Sequence, residues 1–523
     1  MILPGSWKKN LERLAVLMVV VVTATVIGAQ LARPSASPPA AVDIVVDAGA
    51  AAGTIRTALG TQFVWPGGLD VGDARTHFNS LAPALVRINA TTVGAPELPL
   101  VLPAGIVRGD WDFKNLDSII NEIRAAGGEV VLTVAYAPQW MWNCATGGLR
   151  DPTFREFAAY VARLVGYYNA GGFVAEDGRF IANPAGKAGR IAYWELWNEP
   201  DQPSSGCTTV TTAPTSSLSV WQYLAMWNVT AERMLAIDPA LKLVGPTTSS
   251  AITPRAPDYV PTLMASAARK PDVLSFHGYG GWKNSQSDQF LFEGQQGCCG
   301  LDGIVRGVDR VKSWAPGIPI WVTELNVNAA YDEDDPAARP WTAFGVAWGA
   351  SAFRHLVLDG VDAVFQFKFV NPRLRQFSLL DSATGRPLLP YWRDYYLSRY
   401  FPPGSTILMS TSQLDGVEVL AARPPESDDV RVLVINRRTD GNGILGGPGV
   451  PVTARVRVAG LARISGATLR LLDTSTPLDT GPAAVELPNE NSVTLSFTGY
   501  GAALLEFVSG ASRIPDRQAR SGG

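Results

Sequence analysis

WDFKNLDSIINEIRAAGGEVVLTVA, residues 111–135, holds the fold in miniature. Leu116, Ile119, Ile120 and Ile123 recur at the spacing of one helix face, and Gly127-Gly128 supplies the stop. EVVLTVA (129–135) then runs without polar alternation, as a strand covered on both faces requires. A helix leading straight into such a strand is the repeating unit of a parallel sheet, because parallel neighbours must be joined by a crossover.

Outward from this stretch the rhythm repeats. Asp151 reads as an N-cap and Pro152 as the first helical residue of a segment whose apolar face is Phe154, Phe157, Ala158, Val161, Leu164 and Val165, stopped at Gly171-Gly172. Strands are expected at 59–64, 85–89, 129–135, 191–197, 242–245, 272–276, 318–323 and 363–369. Helices are expected at 73–81, 112–126, 152–168, 219–236, 257–268, 302–314 and 341–358. This α/β alternation describes a (β/α)8 TIM barrel over residues 42–398. An open doubly wound sheet is the other arrangement it allows, but no GxGxxG follows the first strand to suggest a dinucleotide version.

Beyond residue 399 the period changes to two. GVEVLAARP, DVRVLVINRR, VTARVRVAG and SVTLSFTG alternate between turns, which reads as an appended antiparallel β-sandwich at 399–509. The early segment AVDIVVDAG (41–49) is a candidate to join it, and 510–523 read as a disordered tail.

Composition narrows the class. At 46% hydrophobic and 17% charged, the 523 residues can build large cores. A net charge of -3 without a basic run gives no surface for phosphate, so no nucleic-acid partner is expected. Lys8, Lys9 and Arg13 precede an uncharged run at 14–29, followed by a Pro/Ser/Ala linker at 30–41. Residues 1–29 therefore read as a cleaved signal peptide or an uncleaved anchor, and either places the remainder outside the cytoplasmic membrane, secreted or anchored to its outer face. In that compartment Cys144, Cys207, Cys298 and Cys299 are expected in disulfides, with Cys144–Cys207 favoured and Cys298-Cys299 either a vicinal bridge or separate thiols. No metal site is expected: there is no CxxC, and the three histidines are scattered. The oligomeric state is left open.

Function in such a barrel sits at the C-terminal ends of the strands. Strand four runs into YWELWNEPD (193–201) and strand seven into IWVTELN (320–326), so each apolar strand ends in a carboxylate, Glu199 and Glu324. A buried carboxylate is costly unless paired or used. Two of them across one barrel mouth are what glycoside hydrolysis requires, one to protonate the leaving oxygen and one to attack.

WELWNEPD (194–201) with WVTEL (321–325) resembles the signature of the clan A retaining glycosidases, and the resemblance covers roughly 42–509. It implies Glu199 as acid/base and Glu324 as nucleophile, with no cofactor or metal and a poly- or oligosaccharide as substrate. LVRIN with Arg87, APQWMW (137–142) and SFHGYG (275–280) make glycoside hydrolase family 39 the nearest likeness: β-xylosidases, α-L-iduronidases and exopolysaccharide hydrolases. The family 51 α-L-arabinofuranosidases share several of these features, and a non-catalytic cell-surface glycan-binding barrel is the alternative of another class.

From the residues themselves, Asn198 could donate to a sugar 2-hydroxyl, Arg87 could hold Glu324 ionised, and His277 and Tyr279 could bond Glu324 or the sugar. Trp140 is a candidate for stacking, and Glu195 reads as a structural ion-pair member. At strand eight, where clan members often carry a tryptophan, this chain has Phe365-Gln366-Phe367-Lys368. Gln366 or Lys368 is expected to face the site there, and a lysine would suit an acidic sugar.

Overall fold

The computed structural model describes residues 41–62, 68–90, 108–204, 215–251, 258–295, 299–371, 374–441, 443–461, 463–488 and 490–510. Among these, eight strands close into a barrel in chain order: Ala58–Gln62, Leu85–Asn89, Glu129–Val134, Tyr193–Leu196, Lys242–Thr248, Val273–Gly281, Ile320–Asn328 and Ala363–Gln366. Every neighbouring pair is parallel, including the closing pair of last and first. Helices Ala74–Leu81, Lys114–Ala125, Arg155–Ala170, Val220–Ile237, Tyr259–Ser266, Gly300–Trp314, Ala343–Leu358 and Leu389–Tyr400 follow the strands in turn.

Strand alternation builds two cores. Val130, Leu132 and Val134 point outward into the layer shared with the helices. Val131 points inward, where it meets Leu85, Val244, Val273, Trp321, Ala363 and Phe365. This apolar plug closes the barrel interior, so polar residues further along the same inward faces are lifted toward the C-terminal mouth.

The sheet domain draws on both ends of the folded chain. Its strands run in the order Val485–Leu487, Ile464–Leu472, Gly501–Ser509, Val430–Asn436, Val417–Arg423, Thr406–Ser412, Val42–Thr54, Val452–Ala459, Ser492–Phe497. Val42–Thr54 runs antiparallel to Thr406–Ser412 but parallel to Val452–Ala459, and the other pairings are antiparallel. Ile44, Val46, Val419, Val432, Val456 and Leu505 share its core. Leu420, Leu433, Ile435 and Leu504 face the other way, into the barrel's outer core. Glu418 fastens this junction: it accepts from Ser351 Oγ and Arg437 Nε, each at 2.6 Å, and lies 2.9 Å from His355 Nε2.

Several boundaries differ from expectation. The barrel begins at Ala58, not residue 42, because the segment before it belongs to the sheet. The helix expected from Pro152 starts at Arg155, with Phe154 in a left-handed conformation at its cap. Asp151 still serves that end, accepting from the Glu156 N–H at 2.9 Å. Strand eight stops at Gln366. Helix Leu389–Tyr400 was not foreseen; it buries Tyr391, Trp392, Arg393, Asp394, Leu397 and Tyr400 and so has no single apolar stripe to detect. Residues 1–40 and 511–523, where the signal or anchor, the linker and nearly all of the tail were expected, lie outside the described residues. Among the described residues no helix is long and apolar enough to cross a membrane.

Candidate active site

Above the apolar plug sits a buried charged layer. Arg87, on strand two, is fully buried and divides its guanidinium three ways. Nε donates to Glu195 at 2.5 Å, Nη1 to Glu324 Oε1 at 2.7 Å, and Nη2 to Asn198 Oδ1 at 2.6 Å. Glu195 also accepts from Thr133 Oγ1 at 2.7 Å, so it serves as the ion-pair member it was read as. Burial works against the charge on Arg87, but Glu195 and Glu324 outweigh it and the guanidinium is held above its ordinary value.

Strict alternation would turn Glu324 away from this layer. Trp321 faces inward and Val322 outward, so Glu324, two residues beyond Val322, should also face outward. The pairing with strand six explains the difference: Phe276 opposes Val322, but the next residue, His277, opposes Glu324. Thr323 is the extra residue of a β-bulge, and the bulge swings Glu324 into the mouth. There Tyr279 OH donates to Oε2 at 2.5 Å while Arg87 holds Oε1. Burial alone would raise this carboxyl, but His277, Arg87, Tyr279 and Lys368 overcome it and hold Glu324 below its ordinary value. The same burial, with Glu324 beside it, raises the Tyr279 hydroxyl well above its ordinary range.

Glu199 reaches the mouth by another route. Strand four ends at Leu196, and the chain then turns with Trp197 and Glu199 at φ 73° and 46°, a region that side chains other than glycine rarely adopt. The Glu199 N–H donates to Thr247 O at 2.9 Å, and Asp201 accepts from the Ser249 N–H and Oγ at 2.8 and 2.5 Å. These bonds tie the turn to the end of strand five. His277 Nδ1 then stands 2.8 Å from Glu199 Oε1 and 3.5 Å from Glu324 Oε2, between the two carboxylates. Burial depresses its ring, but Glu324 and Glu199 more than compensate, and the net direction is upward. One oxygen of Glu199 and one of Glu324 lie within 4.8 Å of each other. A nearest approach this short fits the carboxyl spacing of retaining enzymes, about 5–5.5 Å, better than the roughly 6.5–9.5 Å that inverting enzymes keep for a water.

No family model matches this sequence, and no curated protein matches it. Solved structures do match in fold. The chain is similar to a monomeric β-xylosidase from Caulobacter crescentus CB15 at a TM-score of 0.63 and 17% identity, over 90% of this chain and 100% of that one. It is similar to the glycoside hydrolase family 39 enzyme of Xanthomonas axonopodis pv. citri at a TM-score of 0.59 and 16% identity, over 91% and 98%. A family 30 endoxylanase from Clostridium papyrosolvens C71 matches at a TM-score of 0.57 and 15% identity, over 89% and 100%. At these identities the likeness establishes the fold: barrel and appended sheet together span nearly the whole of each matched chain.

The remaining foreseen residues divide. Asn198 is in the site, with Nδ2 donating to Tyr136 OH at 3.2 Å. Tyr136, just past strand three, was missed although it immediately precedes the APQWMW motif. Lys368 is buried on the Glu324 side, its ammonium 4.6 Å from the Phe367 ring centre. Gln366 is not part of the mouth. Phe365 faces inward and Gln366 the opposite way, where its Oε1 accepts from Arg393 Nη2 of the last helix at 2.8 Å. Trp140 sits half-buried in the short turn Gln139–Met141, with the guanidinium groups of Arg150 and Arg108 5.1 and 5.5 Å from its ring centre. These cations compete for the ring surface on which a sugar was expected to stack. Trp282 and Tyr331, 45% and 46% exposed after strands six and seven, pack against Phe290 and Phe377 and still present aromatic surface to solvent.

Glu199, His277 and Glu324 are spaced closely enough to ligate a cation. Arg87 already holds Glu324 and Lys368 adds a second positive charge nearby, which opposes a divalent ion at this place. Of the cysteines, Cys207 and Cys298 lie outside the described residues, and neither Cys144 nor Cys299 is a free thiol.

Proposed function

We propose that the protein is a retaining glycoside hydrolase that cleaves O-glycosidic bonds of an extracellular or cell-wall polysaccharide or oligosaccharide. The observation that carries this reading is the pair itself: two carboxylates within 4.8 Å across a barrel mouth, one fixed by cations and one opposite a histidine.

In the first step Glu324 Oε attacks the anomeric carbon while the bond to the leaving oxygen breaks and Glu199 gives that oxygen its proton. In the second, a water attacks the anomeric carbon, its proton passes to Glu199, and the ester bond to Glu324 breaks. Two inversions leave the configuration unchanged. Arg87 and Tyr279 each hold one oxygen of Glu324, so the nucleophile is ionised and aimed before substrate arrives. His277, 2.8 Å from Glu199, can hold or return the proton that Glu199 exchanges. Exposed Trp282 and Tyr331 support a chain-like substrate that stacks as it leaves the mouth. The positively flanked apolar run at 14–29 supports export of the catalytic part and the four cysteines support disulfides, Cys144–Cys207 foremost.

The test is hydrolysis of a panel of aryl glycosides and cell-wall polysaccharides, with the first-formed anomer followed by proton NMR. Turnover with retained configuration is expected. Inverted product would refute the double displacement, and tight glycan binding without turnover would favour a binding protein.

A further inference from the structure

Among the charged side chains of the mouth, Lys368 is the one the mechanism leaves unused. It follows strand eight and is 4% exposed. Its backbone is pinned: the N–H donates to Phe377 O, and the C=O accepts from the Leu379 N–H at 3.1 Å. Its ammonium, by contrast, forms no hydrogen bond and no ion pair with any described residue. Its near neighbour is the ring of Phe367, which packs edge-on against Tyr279 with centroids 6.0 Å apart. Tyr279 in turn donates to Glu324, and the ammonium is close enough to that carboxylate to help hold it ionised.

An ammonium with three donors and no acceptor is among the costliest groups to bury. Here burial lowers it to about 8, despite the opposing pull of Glu324. Glu324 does not need it as a partner, because both carboxylate oxygens already receive a donor. What the site lacks is an acceptor for Lys368, and that acceptor would sit next to the sugar attacked by Glu324.

Resting on the glycosidase reading above, we propose that Lys368 recognises a carboxylate on the sugar bound at the nucleophile, making the substrate a polymer or oligomer that contains a hexuronic acid at the cleaved position. The acidic sugar fills the ammonium's empty donor positions, and a neutral sugar leaves the charge unpaired.

The test compares kcat/KM for 4-methylumbelliferyl hexuronides (β-D-glucuronide, β-D-galacturonide, α-L-iduronide) with their neutral hexoside counterparts and with 6-sulfated glucoside. In the wild type at least one hexuronide should exceed its neutral counterpart tenfold or more. Lys368→Met should cut that ratio at least thirtyfold, and Lys368→Arg should restore part of it. Because both members of a pair use Glu324, the ratio cancels any effect of Lys368 on the nucleophile itself. A ratio untouched by Lys368→Met overturns the proposal. So does a wild type that prefers the neutral member of every pair, whatever the variants do, and so does a preference for the sulfate over every carboxylate. Turnover of neutral glycosides with retention would then leave the glycosidase reading standing. No turnover of any glycoside or polysaccharide would remove that reading and this inference together.

Discussion

Glu199 and Glu324 both follow apolar barrel strands, yet their surroundings are opposite. The Glu324 side chain is 9% exposed, and both of its oxygens are held, one by a guanidinium and one by a phenol. Glu199 is 24% exposed, stands on a turn in a rare backbone conformation, and faces a histidine able to carry a proton either way. The contrast separates two chemical duties. A group that must stay ionised is buried among cations and donors, whereas a group that gains and loses a proton each cycle keeps contact with water and a titratable neighbour.

The largest expected effect tests that division directly. Glu324→Gln should lower kcat by more than about 10⁴-fold whatever the leaving group, since the covalent route is gone. Glu199→Gln should cost about 10²–10⁴-fold on an alkyl glycoside but far less in glycosylation by a dinitrophenyl glycoside, whose leaving group departs without a proton. Steady-state and pre-steady-state rates with both aglycones measure this, and equal losses for the two variants would erase the distinction.

Next comes the residue that joins the two sides. Arg87→Met would leave Glu195 and Glu324 as buried carboxylates without their cation, a loss of roughly 3–5 kcal/mol in urea unfolding. A variant as stable as the parent would mean that the charged layer is not the support for Glu324 described here.

The junction between barrel and sheet offers a smaller effect with a defined sign. Burial would raise the Glu418 carboxyl, but His355, Arg437 and Arg354 overcome it and bring it down to about 2 from an ordinary 4.5. A depressed carboxyl contributes stability above its unfolded value and loses it as pH falls toward the folded one. About 3 kcal/mol should therefore be present at pH 6 and fade below about pH 4.5. Glu418→Gln should lower stability at pH 6 and flatten the decline between pH 5 and pH 3 in denaturant titrations. An unchanged acid decline would assign it to other carboxylates.

The smallest effect concerns a single bond. Tyr279→Phe removes a donor to the ionised Glu324, an interaction of about 1.5–3 kcal/mol. Because that donor helps hold the carboxyl down, its loss should move the acid limb of kcat/KM to higher pH. An unmoved limb would leave Arg87 and His277 as sufficient.

Much of this was legible in the sequence, and the exceptions have identifiable causes. Glycine stops, unbroken apolar strands and the change of period near residue 399 carried the barrel and the sheet. The two carboxylates, Arg87, Asn198, His277 and Tyr279 were legible because each lies at or near a strand end. Alternation alone excludes Gln366, two residues after outward Val364. Alternation fails at Glu324, where the bulge at Thr323 depends on the pairing with strand six. Trp140 looked available because Arg108 and Arg150 reach its ring from outside the motif, a contact made in space. Helix Leu389–Tyr400 escaped because its buried residues include Arg393 and Asp394, so no apolar stripe marks it.

The division of labour between the two carboxylates meets its most direct test in covalent trapping. The protein would be incubated with 2-deoxy-2-fluoro glycosyl fluorides covering neutral and uronic sugars, then examined by intact mass and peptide mapping. A single adduct on Glu324, absent from Glu324→Gln, is the expected result. A stable adduct on Glu199 or any other carboxylate, or retaining turnover that persists in Glu324→Gln, would contradict the account.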